Sequence, residues 1–133
     1  INFPNTSGVA GAWSISDGSS ANRITMNTTN FNSTQFTLSV AQNYNSGSTK
    51  LASTNVTFID NHKVAIKYSA TTLKLFVDGA EVDSVTTDGF GNYTNFYVGG
   101  NQSGIGWETR KFIQSNLYNT ALSDAECITL TSL

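Results

Sequence analysis

Two alternating runs joined by Asp78-Gly79 constrain the fold of this chain more than any other feature of its sequence. Apolar residues occupy every second position of Leu73–Val77, and a second alternating run, Glu81–Val85, follows the turn. Period-two spacing places such side chains on one face of a strand. Asp-Gly tolerates the positive φ angles of a type I′ turn, whose twist matches that of the flanking strands. The segment therefore predicts a β-hairpin.

The same alternation recurs along the chain and predicts an all-β domain. Phe36, Leu38 and Val40 share one face of a strand, for example, which indicates an antiparallel sheet with one buried face. Asn, Gly and Ser interrupt the apolar runs at intervals typical of a β-sandwich or barrel. The predicted strands are Ala12–Ile15, Arg23–Asn27, Gln35–Gln42, Asn55–Phe58, Lys63–Tyr68, Leu73–Val77, Glu81–Val85, Asn95–Val98 and Lys111–Tyr118.

A capping box at Ser123–Glu126 predicts one short helix at the end of the chain. We expect this helix to run from Asp124 to about residue 130 and to cover the edge of the sandwich. Its predicted apolar contacts are Leu122, Ile128 and Leu130. Cys127 lies among them, which favours a buried structural thiol over a reactive one.

The composition excludes several classes of protein. Seven cations are scattered against nine acids, whereas a nucleic-acid binder needs clustered Lys and Arg. No apolar run approaches the roughly 18 residues of a membrane span. A single Cys allows no internal disulfide and no Cys-rich zinc site. We expect residues 1–133 to form one domain and, because Ile1 is not Met, to be a fragment of a longer chain.

Glu81 and Asp83 are the one pair of acids that suggests catalysis. Two carboxylates two positions apart on a strand face the same side, as the nucleophile and an assisting acid do in retaining glycanases. The proton donor should follow two or three positions later, where Val85 and Thr86 stand. We therefore expect a solvated strand face and no enzyme activity. His62 is likewise expected to be solvated at a strand entrance.

Sugar binding requires aromatic faces that stack on a pyranose, together with amides and carboxylates that bond its hydroxyls. Three predicted loops hold this mixture, at 43–50, 86–94 and 99–107. The candidate carbohydrate-binding residues are Tyr44, Asp88, Phe90, Asn92, Tyr93, Asn95, Asn101 and Trp107. Trp107 could equally belong to the core.

Calcium is the natural alternative use for the loop acids, because it takes oxygen ligands. The chain has no Asp-x-Asp-x-Asp spacing, and Asp88 with Asn92 is the only plausible nucleus of a calcium site. We expect no cofactor and no metal, with Ca²⁺ as the less favoured alternative.

Three segments resemble a known family of jelly rolls. The stretch 62–85, HKVAIKYSATTLKLFVDGAEVDSV, is similar to the central hairpins of concanavalin A-like, laminin-G-type domains. The end, Phe112–Leu133, resembles their closing strand and short helix, whose pattern runs aromatic-N-x-A-L-[ST]-D-x-E. Trp13–Ile24, WSISDGSSANRI, is similar to a branch found in tail fibres and in head or tail decorations of tailed bacteriophages. Together these segments cover about half of the chain.

The resemblance implies a two-sheet antiparallel jelly roll and a role at a surface. It favours a non-enzymatic module of a virion, in a tail fibre or decoration protein, that binds bacterial surface polysaccharide. The alternative is a purely structural module that forms a homotrimer or docks onto another virion protein. A glycan hydrolase is disfavoured by the missing third carboxylate. The resemblance transfers no binding residue to a position in this chain, and it implies neither nucleic-acid binding nor membrane insertion.

Overall fold

Two antiparallel sheets stack through the apolar faces of their central strands. The computed structural model describes residues 10–29, 32, 34–57, 61–99 and 114–133. Its elements are β1 (Ala10–Ser16), β2 (Arg23–Thr29), β3 (Gln35–Asn43), β4 (Lys50–Thr57), β5 (Val64–Tyr68), β6 (Thr72–Val77), β7 (Ala80–Thr86), β8 (Asn95–Val98) and α1 (Asp124–Thr131). One sheet has the order β4-β3-β2-β1-β8 and the other β5-β6-β7. The predicted two-sheet fold with one C-terminal helix is confirmed.

The core lies between the sheets and follows the predicted alternation. Phe36, Leu38 and Val40 of β3 are almost fully buried, as are Leu73 and Leu75 of β6. Removing such side chains from water contributes roughly 1.5–3 kcal/mol each. The loops are therefore attached to a rigid scaffold.

The Asp78-Gly79 hairpin is confirmed. Asp78 and Gly79 have φ angles of 49° and 85°, the positive values that a type I′ turn requires. The Asp78 carboxylate accepts a hydrogen bond from the backbone N–H of Lys63 at 2.9 Å, which ties the turn to the start of β5. The pairing of β6 with β7 contains a bulge between Leu75 and Phe76. The bulge changes which face of the sheet the residues of β7 lie on.

The capping box also forms as predicted, because the Ser123 hydroxyl accepts from the N–H of Glu126 while the Glu126 carboxylate accepts from the N–H of Ser123. Cys127 is buried, which confirms the structural thiol, and burial raises its pKa. The predicted contacts Ile128 and Leu130 are wrong, since they are 37% and 48% exposed. In the part of the chain that the structure describes, no helix has the length and apolar character needed to cross a membrane.

The helix covers a face of the smaller sheet instead of an edge of the sandwich. Its contacts extend to β5, β6 and β7. Asp124 accepts hydrogen bonds from Lys67 and Lys74, which point away from the core, at 2.7 Å each. Cys127 and Thr131, one turn apart, form its buried stripe.

Two predicted strands need correction. β4 begins at Lys50 and not at Asn55, because its inner face carries only the small Ala52 before Val56, so that the alternation is weak in the sequence. The predicted strand Lys111–Tyr118 does not continue through residues 114–118, which are exposed and non-strand. A polar Gln-Ser-Asn run offers no apolar face to bury there. Residues 111–113 and Phe58 lie outside the described residues.

Candidate functional site

In a series of antiparallel strands, every second connection lies at the same end. Four connections between the strands of this protein therefore meet at one end of the sandwich. These are residues 17–22, 44–49, 69–71 and 87–94. The loops brace each other, as the backbone N–H of Asn45 donates to the Asn22 side chain at 2.8 Å and that of Ser46 to the Ala21 carbonyl at 3.3 Å. The predicted carbohydrate loops 43–50 and 86–94 are also neighbours, since Tyr44 lies against Gly89 and Lys50 pairs with Asp88.

Three aromatic rings form a cluster at this end. The ring centroids of Tyr68, Phe90 and Tyr93 lie 5.7–5.8 Å apart, and both contacts of Tyr93 are edge-to-face. Such spacing and geometry are favourable for aromatic pairs. Phe90 is 48% exposed although it contacts both partners. Burial, with a smaller effect from Tyr93, raises the pKa of Tyr68, so its hydroxyl is protonated at neutral pH.

The three rings, with Gly91 and Asn92, line a cleft of about 300 Å³ that we call the aromatic cleft. This volume is at the lower end of the range for small-molecule sites. None of these five residues is an acid, a lysine, an arginine or a histidine. Asn92 is exposed and brings an amide, which can both donate and accept hydrogen bonds, to the cleft.

Gln42 of β3 and Tyr44, the first residue after that strand, hold the 87–94 loop in place. The Gln42 amide nitrogen donates to the Gly89 carbonyl at 3.0 Å and lies 3.4 Å from the Tyr93 hydroxyl. Gly89 has a φ of 144°, and a Cβ there would overlap the Tyr44 ring. Tyr44 thus packs against the loop backbone, and the position requires glycine.

The structure brings together three of the eight predicted sugar-binding residues in the aromatic cleft. Phe90, Asn92 and Tyr93 line it, whereas Tyr44 supports the loop. Asn95 lines an adjoining cavity of about 100 Å³, which shares the Tyr68 and Tyr93 rings with the cleft.

The remaining predicted residues do not join this group. Asp88 is exposed and forms an ion pair with Lys50 at 2.8 Å. Asn101 and Trp107 lie outside the described residues. Within the described ranges, no cluster of three or more His, Cys, Asp or Glu could hold a metal ion.

Sequence reasoning missed Tyr68 and Gln42. Tyr68 shares the face of Val64 and Ile66, so alternation alone predicts a core position, although its place at the last residue of β5 brings it to the loops. Gln42 carried a detectable signal, because it follows Phe36, Leu38 and Val40 at the next inner-face position of β3 and breaks their apolar pattern.

The predicted pairing of Glu81 with Asp83 on one strand face is wrong. Because of the bulge, Glu81 pairs with Phe76 in register and Asp83 with Leu75. Glu81 forms an ion pair with Lys74 at 2.9 Å, whereas Asp83 accepts from the backbone N–H of Ser53 on β4 at 2.8 Å. The two carboxylates therefore serve separate structural contacts.

His62 is buried, and the prediction of a solvated side chain is wrong. It is 4% exposed, with Nδ1 2.6 Å from the Asp78 carboxylate and Nε2 2.8 Å from the Thr57 carbonyl. The hairpin turn places Asp78 beside the entrance of β5, so the imidazole connects three segments. Its position is at the end of the sandwich opposite the aromatic cleft.

Comparison with known proteins gives one match. A family model described as Concanavalin A-like lectin/glucanases superfamily matches residues 2–127, most of the 133-residue chain. No curated protein and no solved structure matches the chain.

Proposed function

The chain belongs to the concanavalin A-like lectin/glucanase superfamily, and we propose that it is a non-enzymatic module that binds carbohydrate in the aromatic cleft. The observation that carries this proposal is the cluster of Tyr68, Phe90 and Tyr93 around an open cleft at the loop end. Aromatic faces can cover the apolar side of a sugar ring, while hydroxyl and amide groups bond its polar rim. The superfamily's description as lectins and glucanases supports this class of ligand.

The absence of an enzyme activity is part of the proposal. It is supported by the separation of Glu81 and Asp83, each of which is committed to a structural contact. Incubation of the purified protein with β-glucans or capsular polysaccharide should release no reducing ends. Release that disappears in Glu81→Gln would contradict the non-enzymatic assignment.

We further propose that the module acts at the surface of a virion, in a tail fibre or decoration protein, and binds bacterial surface polysaccharide. The support is the similarity of Trp13–Ile24 to the bacteriophage branch of the family. Antibodies against the protein should label the tail or capsid surface of phage particles whose genome encodes this chain. Labelling confined to host material would contradict this location.

The binding proposal is tested by affinity electrophoresis in gels that contain neutral polysaccharides or extracts of bacterial surface glycan. We expect Phe90→Ala to abolish a retardation that the wild type shows, because it removes an exposed stacking face. Leu51→Ala is the matched control, since Leu51 is equally apolar and 52% exposed but lies on β4 outside the cleft. Equal retardation of the wild type and Phe90→Ala would contradict the site.

A structural assembly module is the second candidate, favoured by a specific surface feature. Ile128 and Leu130 of α1 are exposed although they are large and apolar. In this case the protein would form a homotrimer or dock onto another virion protein. Sedimentation should then give a trimer that Leu130→Ser dissociates, whereas a monomer at micromolar concentration would contradict self-assembly.

A further inference from the structure

Gln42 is a polar residue at a buried position, on a strand face whose other residues are apolar. It occupies the last inner-face position of β3 and is 1% exposed. Burial of an amide is unfavourable unless its groups find hydrogen-bond partners. In the described part of the chain the side-chain nitrogen has partners, whereas the buried Oε1 has none. An apolar residue would fill this position at lower cost, so the amide calls for an explanation.

The partners of the amide fix its orientation. The Gly89 carbonyl oxygen can only accept, so the NH₂ group of Gln42 must face it, at 3.0 Å. The hydroxyl oxygen of Tyr93 lies 3.4 Å from the same nitrogen and therefore accepts as well. A phenol whose oxygen accepts in this way keeps its own hydrogen for a different acceptor. No described residue accepts that hydrogen.

We propose that Gln42 is a positioning residue that holds the Tyr93 hydroxyl as a hydrogen-bond donor toward an acceptor oxygen of the bound carbohydrate. This inference rests on the proposed function. The hydrogen bond to the Gly89 carbonyl also lets Gln42 fix the backbone next to Phe90. One buried amide therefore orients both the Phe90 stacking face and the Tyr93 hydroxyl. Tyr93 lines both cavities at the loop end, which places its ring beside any ligand there.

Two substitutions of Gln42 separate the loss of its hydrogen bonds from a change in the direction of the Tyr93 hydrogen bond. Gln42→Leu removes both hydrogen bonds, whereas Gln42→Glu places a carboxylate that repels the Gly89 carbonyl and accepts the Tyr93 hydrogen. Ser39→Ala is the control, since it alters a buried polar residue of the same strand on the opposite face. We expect NMR signals of the Tyr93 ring and Gly89 to shift in both Gln42 variants and to stay unchanged in Ser39→Ala.

The binding arm uses the polysaccharide that retards the wild type most strongly in affinity electrophoresis. Loss of the hydrogen bond from the Tyr93 hydroxyl should weaken binding about tenfold in Tyr93→Phe and at least as much in Gln42→Leu, which also releases the Gly89 backbone. Because both variants lose the same contact of the Tyr93 hydroxyl, the double variant should lose no more than Gln42→Leu alone. Additive losses, or unchanged binding in Gln42→Leu, would overturn the inference.

The outcomes separate this inference from the proposed function. If the wild type binds no polysaccharide, the proposed function fails, and the donor role of Tyr93 fails with it. The positioning role has its own test in the wild type, where the Gln42 side-chain amide should exchange with solvent far more slowly than that of exposed Gln114. Equal exchange rates would contradict the buried hydrogen bonds even where binding is found.

Discussion

Gly89 shows how a single residue determines the shape of the cleft. Its φ of 144° and its contact with the Tyr44 ring leave no room for a side chain. Gly99 has a φ of 77°, but no described atom lies within 4 Å of the point that a methyl group would occupy there. Gly99 is therefore a control for a positive φ without a described steric contact. The cleft depends on a backbone that only glycine provides at position 89.

We predict that Gly99→Ala costs about 1 kcal/mol of unfolding free energy, the usual penalty for a left-handed backbone. Gly89→Ala should cost more, because a φ of 144° is essentially restricted to glycine and because the methyl group also displaces the Tyr44 ring. Urea unfolding of the two variants measures the difference. Equal costs would show that position 89 does not require glycine.

His62 provides the second residue-scale prediction. Both of its ring nitrogens face acceptors, the Asp78 carboxylate and the Thr57 carbonyl. His62→Phe would fill the space but would leave both acceptors without this donor. Because one of them is the charged Asp78 carboxylate, we expect the free energy of unfolding to fall by about 2 kcal/mol. Glu81→Gln, on the exposed side of the same hairpin, should change stability by less than about 0.5 kcal/mol. Equal unfolding free energies for the two variants would contradict the role of His62.

The positions of His62 and Gln42 mark the limit of sequence reasoning at this scale. Phe36, Leu38 and Val40 could be assigned to the core because alternation depends only on local chain geometry. The burial of His62 and Gln42 depends on partners 16 and 47 residues away, in the Asp78 turn and the 87–94 loop. Alternation marks Gln42 as an inner-face position of β3, but no local pattern specifies the partners of either residue.

At the scale of elements, α1 is attached to the smaller sheet by charge. Lys67 and Lys74 donate to Asp124 in the first helical turn, and these bonds lower the pKa of Asp124, with Lys67 as the largest cause. A carboxylate whose folded-state pKa is depressed stabilises the fold fully above its ordinary value of 3.8. That contribution is lost as the pH falls through the lower, folded-state pKa.

We therefore predict that Asp124→Asn is less stable than the wild type at neutral pH and that the difference shrinks as the pH falls below 3.8, the ordinary pKa of the group. Urea unfolding followed by circular dichroism, at neutral pH and through the range below 3.8, measures it. Asp88→Asn is the control, because its ion pair with Lys50 is exposed and should contribute little at either pH. A difference that is constant with pH would exclude an electrostatic attachment of α1.

Prediction of elements succeeded where a strand carries large apolar residues at every second position. β6 has them, in Leu73, Leu75 and Val77, and it ends at a turn that only a few residue types allow. The prediction missed the start of β4 because Ala52 is small, and the predicted strand over 111–118 fails at residues 114–116, where the chain is polar. The capping box predicted where α1 starts. Which residues of α1 are buried depends on its packing against β5, β6 and β7, and no local pattern specifies that packing.

On the scale of the whole molecule, the two ends of the sandwich differ in construction. At one end, His62 and residues 131–132 contact the hairpin turn and the start of β5. The N–H of Gly79 donates to the Thr131 hydroxyl at 3.2 Å, and Lys63 contacts the Ser132 carbonyl. At the other end, among the residues that the structure describes, the loops leave the aromatic cleft open. The fold could be predicted from the sequence, as could three residues of the cleft, because each loop carries its own composition. Their convergence with Tyr68 depends on strand order.

The most direct test of the account is NMR mapping of a glycan titration on the labelled protein. Oligosaccharides released from the polysaccharide that binds best should shift the ring signals of Tyr68, Phe90 and Tyr93 and the side-chain amide of Asn92. Signals of Asp78 and Gly79 at the opposite end should stay unchanged. Shifts confined to the hairpin end or to α1, with the aromatic cleft unaffected, would contradict the assignment of the cleft as the carbohydrate site.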